Sequence, residues 1–433
     1  MRISTNQIYD SGVSSLQRGQ SALYKLQNQL SSNKRVLTPE DDPVAAAQAL
    51  IVTQSKDVNA QHTDNQGTAN SQLGLVDSQL SSLVDLLQNV RESVVKAGNT
   101  GTLSNSDRSA IATELESNLS QMLGIANSQN GAGDSLFAGY KGATLPFAVN
   151  GALPAVSPAS SSPIGYFGDD GVRLLQVSSS RQIAVNVAGN DLFMNIRGGN
   201  GTFVTATGGN LGGGINKGTA TADAGSVVDQ QKWALAVNNP LAGQPLEIRF
   251  SVVAGVTTYG IYDPVSATTT GPLAYTPGQA IPLTTAGGVD FGSQVVVNGQ
   301  PANGDRFTVK ASSSQSMFQT MQSLIGILRS PVGTTNYTTT EYTNALGAQL
   351  TNLDQAMGNV SRVQATVGSQ MKELDSLVNT SSDLDIQYQS TLSDLVGLDY
   401  YKAMSDFTMQ KTALEAAQKS FVEISGLSLF NYL

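Results

Sequence analysis

The sequence predicts an α+β multidomain protein: a long α-helical coiled-coil rod formed by both ends of the chain, with an inserted, mainly antiparallel β domain. Three observations carry this. Glycine and proline are unevenly spread, with 10 Gly and 2 Pro in residues 1–140, 26 and 11 in residues 141–310, and 7 and 1 in residues 311–433. Both residues interrupt helices and build turns, so the ends read as helical and the middle as strands and loops. Apolar residues step by three and four along both ends, as they do in a helix packed along another helix. In the middle they alternate at every second position, the period of a half-buried strand.

The rod is clearest at its centre. Leu73, Val76, Leu80, Leu83, Leu87, Val90 and Val94 keep the alternation without a miss, and Asp77, Ser78, Ser81, Ser82, Asp85 and Asn89 lie between them. Its expected partner runs through Leu346, Leu350, Leu353, Met357, Val360, Gln364, Val367, Met371, Leu374 and Val378, where only Gln364 is polar. At about 1.5 Å per residue that second helix is roughly 50 Å long, too long for an ordinary globular core. Leu73, Val76, Leu80, Leu83, Leu87, Leu350, Leu353, Met357 and Val360 are the expected rod seam.

The extreme ends carry narrower stripes. Leu16, Leu23 and Leu30 fall seven apart after Tyr9, and Tyr400, Met404, Phe407, Lys411, Leu414, Gln418 and Phe421 keep the three-four rhythm. Such stripes give an isolated chain little apolar area to set against its conformational entropy, so both ends should be marginal alone and completed by neighbours. Leu16, Leu23, Leu30, Met404, Phe407, Leu414 and Phe421 are therefore the candidate assembly interface.

Punctuation locates the remaining elements. Thr38-Pro39-Glu40-Asp41-Asp42-Pro43 should open a helix, since proline suits the first helical position and carboxylates favour the positive end of the helix dipole. Ser104-Asn105-Ser106-Asp107 opens another through Ile111, Leu115, Leu119 and Met122. A shorter one runs through Phe318, Met321, Ile325 and Leu328 and stops at Pro331. In the middle, Ile183, Val185 and Val187 read as one strand, and Leu246, Ile248, Phe250 and Val252 as another. Ala254-Gly255 should turn the second into a hairpin partner through Thr257, Tyr259 and Ile261. Val295-Val296-Val297 with Asn298-Gly299 is a further strand and turn signal, with Phe307 and Val309 beyond it. The expected organisation is a terminal coiled coil of residues 1–42 with 385–433, a helical rod of 43–145 with 311–384, and an inserted β domain of 146–310 that could hold two subdomains.

Composition closes off most chemistry. The net charge is −9 with no basic cluster, which argues against nucleic acid as a partner. No apolar run approaches the roughly 18 residues needed to span a bilayer, so no membrane partner is expected, and the start lacks the apolar core of a cleavable signal. There is no cysteine and a single histidine, His62, so disulfides, thiolate sites and most acid–base catalysis are absent. His62 reads as a solvated residue in a polar helical stretch. Gly198-Gly199-Asn200-Gly201 and the glycines from 208 to 218 lack the lysine ending of a phosphate loop and read as surface loops. Asp169-Asp170-Gly171 lacks the spaced ligands of a calcium loop and reads as a turn. No enzyme activity, cofactor or metal is expected.

Several motifs resemble the bacterial flagellin family, and more closely its members at the junction between hook and filament. They are Met1-Arg2-Ile3-Ser4-Thr5, the run from Leu26 to Val36, the Thr38 to Pro43 stretch, and Leu136-Phe137-Ala138-Gly139-Tyr140-Lys141. Asn303-Gly304-Asp305-Arg306-Phe307-Thr308-Val309, Leu414-Glu415-Ala416-Ala417 and Ser428-Leu429-Phe430-Asn431-Tyr432-Leu433 complete the set. Asn33 stands where the family usually has glycine, at a site suited to a left-handed turn. The resemblance implies a non-enzymatic, secreted subunit of the bacterial flagellum, exported unfolded by the type III apparatus with an export chaperone. It implies self-assembly as a ring or layer through both terminal helices, with hook-associated protein 1 on the hook side and flagellin on the other. The alternative reading is a filament-forming flagellin, and a secreted enzyme is a distant third because residues 146–310 supply no recognisable acid–base pair.

Overall fold

The computed structural model describes residues 5–99, 101, 103–149, 164–237, 246–334 and 337–430. Seven α-helices occur among them: α1 (Thr5–Ser32), α2 (Pro43–Ala97), α3 (Asn105–Ala126), α4 (Gln230–Val237), α5 (Met317–Arg329), α6 (Thr339–Val396) and α7 (Tyr400–Phe430). The last three residues of the expected C-terminal motif lie outside the described set. The chain divides into two compact units. One holds Met1–Gly67, Gln176–Arg181 and Leu374–Leu433, and the other Thr68–Leu175 and Gln182–Glu373.

The second unit is built on a helical seam. Leu73, Val76, Leu80, Leu83, Leu87, Val90 and Val94 of α2 are fully buried, as are Leu353 and Val360 of α6, with Val367 at 1% exposure. Polar contacts fix α2 and α6 antiparallel. Gln364 Nε2 donates to Asp77 Oδ1 at 3.3 Å and Ser81 Oγ at 3.0 Å, Arg91 pairs with Asp354 at 2.8 Å, and the Tyr342 hydroxyl donates to the Ala97 carbonyl at 2.8 Å. Outside this pair, Ser104 caps α3 in a reciprocal capping box with Asp107. Ser316 caps α5, whose Arg329 pairs with Glu116 of α3 at 2.6 Å. Chain exit from the helices is held by aromatic packing: Phe193 and Phe318 stack at 5.6 Å, and Phe147 lies 5.2 Å from each.

The inserted β region follows period two wherever one face of a strand is buried. Six strands form one sheet in the order Thr268–Thr269, Val256–Asp263, Leu246–Val253, Asp305–Ala311 and Phe203–Asn210, with Leu273–Ala274 also pairing on Val256–Asp263. A four-stranded sheet pairs Ala280–Thr284 with Asp290–Asn298, which also meets Thr221–Ala222 and Ser226–Val227. Every ladder whose register is resolved is antiparallel. Phe203, Trp233, Ile248, Phe250, Ile281, Val295, Val297 and Phe307 belong to one shared core, so the two sheets and α4 make a single β domain. Ala254 and Gly255 both have positive φ, the conformation of a two-residue hairpin whose twist matches the strands it joins.

Three sequence expectations are corrected. The strand through Ile183 stops at Ala184. The buried Asn186 then takes over, accepting from Arg173 N at 2.7 Å and donating to the Gly171 carbonyl at 3.0 Å. The first glycine loop is not a surface loop: Gly198 and Gly199 are buried, and Gly199 N donates to Asn352 Oδ1 of α6 at 2.7 Å. His62 is not solvated, for both ring nitrogens are buried and hold no hydrogen bond.

One buried charge organises the second glycine run. Asp305, fully buried, accepts from Lys217 N, Gly218 N, Ala302 N and Asn210 Nδ2, each at 2.8 Å. Asp305→Ala strands all four donors and should cost about 3 kcal/mol or more. Leu80→Asp, which places a charge in the seam, should cost at least as much. Urea unfolding followed by Trp233 fluorescence measures both, and a midpoint unchanged by either substitution would contradict this packing.

Candidate assembly surface

In the first unit, α1 and α7 lie side by side, and small residues let them approach. A methyl group on Gly12 would stand 2.7 Å from the Phe421 ring, and one on Gly19 would stand 3.1 Å from Leu414. The Tyr9 and Phe421 rings are 5.2 Å apart. Leu16, Leu23, Leu30, Phe407, Leu414 and Phe421 are each half-buried, and Met404 is exposed. Leu414 and Phe421 of the expected interface thus already meet α1 of the same chain.

The faces that remain open are elsewhere on these helices. Tyr400, Tyr401, Met404 and Met409 line a shallow groove along α7 with Thr408, Thr412 and Ala416, and Tyr401 is 89% exposed. Leu50 and Ile51 of α2, Ile386 of α6 and Tyr24 of α1 are also exposed. The three-four stripe carries no sign of Tyr401 or Met409, because both fall off its rhythm. Their signal is the density of large apolar side chains in the first turns of α7.

The corners of this unit are pinned by polar contacts. Asn33 ends α1 at φ 53°. Arg35 N donates to the Val396 carbonyl at 2.7 Å, Arg35 Nη2 donates to the Leu395 carbonyl at 2.8 Å, and Gln29 Nε2 donates to the Arg35 carbonyl at 2.6 Å. Asp42 accepts from Ala45 N at 3.0 Å, capping α2, and pairs with Arg35 at 3.2 Å. Asp41 pairs with Lys25 and accepts from Leu37 N and Thr38 N at 2.9 and 3.1 Å. The Lys25 ammonium foremost, with the two backbone donors, draws the Asp41 carboxyl down to about 2. Asp41 and Asp42 therefore hold backbone donors and the cations of Lys25 and Arg35, and no grouping of potential metal ligands occurs among the described residues.

Of the expected rod seam, Leu73, Val76, Leu80, Leu83, Leu87, Leu353 and Val360 are buried, while Leu350 and Met357 are half-buried. The central line of α6 is Leu353, Ala356, Val360, Val363 and Val367. Met357 and Gln364 flank it. Ala356 and Val363 satisfy the same spacing, but the larger side chains next to them mask the line in the sequence. Within the first unit the same two helices meet through polar groups: Asn59 Nδ2 donates to the Ser381 carbonyl at 2.8 Å and Gln66 Nε2 to Ser381 Oγ at 3.0 Å.

Paired terminal helices, an antiparallel helical seam and an inserted β domain together define a class of self-assembling helical subunit, and comparison with known proteins agrees. The bacterial flagellin N-terminal helical region matches residues 3–142 and the bacterial flagellin C-terminal helical region matches residues 350–433, together just over half of the chain. The chain belongs to the bacterial flagellin family. Within it, the chain is similar to flagellar hook-associated protein 3 of Salmonella typhimurium, 25% identical over 430 residues, and to its namesake from Escherichia coli, 26% identical, with 99% of each chain covered. The crystal structure of the flagellar junction protein of Legionella pneumophila is 27% identical with a TM-score of 0.67, covering 81% of this chain and all of that one.

The corner makes a pH prediction. A carboxyl depressed in the folded state contributes stability that is present above its unfolded value, near 3.8, and lost as pH falls through about 2. Asp41→Asn should therefore lower the melting of the terminal helices at pH 5, and the difference from the unsubstituted protein should vanish near pH 2. Circular dichroism melts across that range check it. A difference independent of pH would show that Asp41 acts by packing alone.

Proposed function

We propose that this chain is the adaptor subunit at the hook–filament junction of the bacterial flagellum, assembling with its own copies through the N- and C-terminal helices. The observation that carries the reading is the similarity to hook-associated protein 3, which runs over essentially the whole of both chains. The exposed apolar faces of α1 and α7 support it, since an unassembled subunit must hold ready the surface that its neighbours will bury. Hook-associated protein 1 meets it on the hook side and flagellin on the filament side. The subunit is exported by the type III apparatus with a dedicated chaperone, is secreted, and performs no catalysis. Its contacts with its own copies are heterologous, running head to tail, because a layer between two helical arrays repeats by rotation and rise rather than by two-fold pairs. The expected three-part division fits this role, with residues 1–42 and 385–433 in the axial core and the β region outside it.

Cells lacking the chain should build hooks, export flagellin and fail to retain it, so that microscopy finds no filaments and the medium contains flagellin. Filaments of normal number on such cells would overturn the proposal. The insertion can be tested separately because its ends meet: Gly198 N donates to the Ser313 carbonyl at 3.2 Å, and Ser312 Oγ donates to the Gly198 carbonyl at 2.7 Å. Replacing residues 199–312 by an Asn-Gly turn should preserve export and flagellin retention. Loss of retention by a folded, exported variant would place the junction contacts in the β domain.

A further inference from the structure

The second unit contains a cavity of about 640 Å³ that the assembly role does not use. It is enclosed by the strand Phe203–Asn210, residues 222–224, and helices α5 and α6. Phe203–Asn210 ends its sheet, so among the described residues no further strand of that sheet fills the space beside it. The walls are cut from small side chains: Ala206, Ala222, Ala345 and Ala348 line it with Gly326 and Gly347, and Phe307 and Ile327 add apolar area.

Its polar residues are mostly uncharged, and the charged ones are of one sign. Thr205 and Thr207 share the strand face that carries the core residue Phe203, by the alternation of strand side chains. Thr205 lines the cavity, is 8% exposed, and its Oγ1 is buried with no hydrogen-bond partner. Thr207 Oγ1 donates to Glu341 Oε1 at 2.5 Å, and among the described residues Glu341 Oε2 accepts no hydrogen bond. Asn344 is occupied: its Oδ1 accepts from Ala222 N at 3.0 Å and its Nδ2 donates to the Ala220 carbonyl at 3.1 Å. Tyr337 lines the same space, and its phenol is pushed up to about 12 by burial and then by the Glu341 charge beside it. Among the described residues no lysine, arginine or histidine lines the cavity, and its charged residues are Asp223 and Glu341.

We infer that this cavity is a binding site for a compact organic cation, an aryl- or alkylammonium with its charge against Glu341 and its body in the alanine- and glycine-lined space. The chemistry selects that class. A carboxylate with an open oxygen in a partly dehydrated site favours a cation that can donate to it. An anion would meet no positive side chain among the described lining residues and two carboxylates of its own sign. The volume falls within the roughly 300–1,000 Å³ typical of small-molecule sites.

The test uses the full chain and three probes of one shape: benzylammonium, benzyl alcohol and benzoate. Ligand-observed NMR titration should show saturable binding of benzylammonium at least about tenfold tighter than benzoate. Glu341→Gln should weaken benzylammonium about tenfold or more and leave benzyl alcohol unchanged. Ala348→Trp, which fills the cavity, should abolish both. Should either variant fail to fold, the preference of the unsubstituted protein for benzylammonium over benzoate still decides. A cavity that holds only water, giving no saturable binding, would overturn the inference. So would equal affinity for the two ions, or benzylammonium binding indifferent to both substitutions.

Discussion

The second unit depends on one interaction, the antiparallel seam between α2 and α6. Seven consecutive seam positions of α2 are fully buried, and they meet a line of Leu353, Ala356, Val360, Val363 and Val367 with the same three-four spacing. At about 25 cal/mol per Å² of apolar surface removed from water, burial of this length outweighs anything the exposed ion pairs can supply. The polar contacts along the seam have a different part. Arg91 with Asp354, and Gln364 with Asp77 and Ser81, fix which turn of one helix faces which turn of the other. In the first unit the contacts of the same helices turn polar, with Asn59 Nδ2 and Gln66 Nε2 donating to Ser381 and Gln66 Nε2 also to the Val177 carbonyl.

The terminal helices follow from the opposite condition. Their stripes are narrow, so α1 and α7 can cover only part of each other, and glycines at 12 and 19 are what bring them close enough to do so. The rest of α7 shows Tyr400, Tyr401, Met404 and Met409 to solvent. Exposed apolar surface of this kind reduces what an isolated chain gains by ordering, and it is the surface an assembly can use.

Much of this is legible in the sequence, and the parts that are not have physical causes. Strict periodicity locates α2 and α6, and capping chemistry locates the starts of α2 and α3, because both signals act between residues close in sequence. The alternation that begins at Leu246 becomes the paired strands Leu246–Val253 and Val256–Asp263 for the same reason. The strand through Ile183 ends early because Asn186 finds partners at Arg173 and Gly171, which the local pattern does not encode. Pairing across sheets is hidden in the same way: Asn298-Gly299 is a turn signal, but the destination of the chain beyond it is set by the shared core. On the assembly surface, Leu414 and Phe421 have the spacing of residues that meet neighbours, yet they meet α1 first, since spacing identifies an apolar face without naming its occupant.

In the flagellum, the open face of α7 should be buried by neighbouring subunits. The chain has no cysteine, so a single introduced thiol reports one position without background. Met409→Cys on α7 and Leu211→Cys in the β domain both replace exposed side chains. Maleimide labelling of the purified monomer and of isolated flagella gives the comparison. Both positions should label in the monomer, and in flagella Leu211→Cys should still label while Met409→Cys is protected. Labelling of Met409→Cys as complete in assembled flagella as in the monomer would contradict the account.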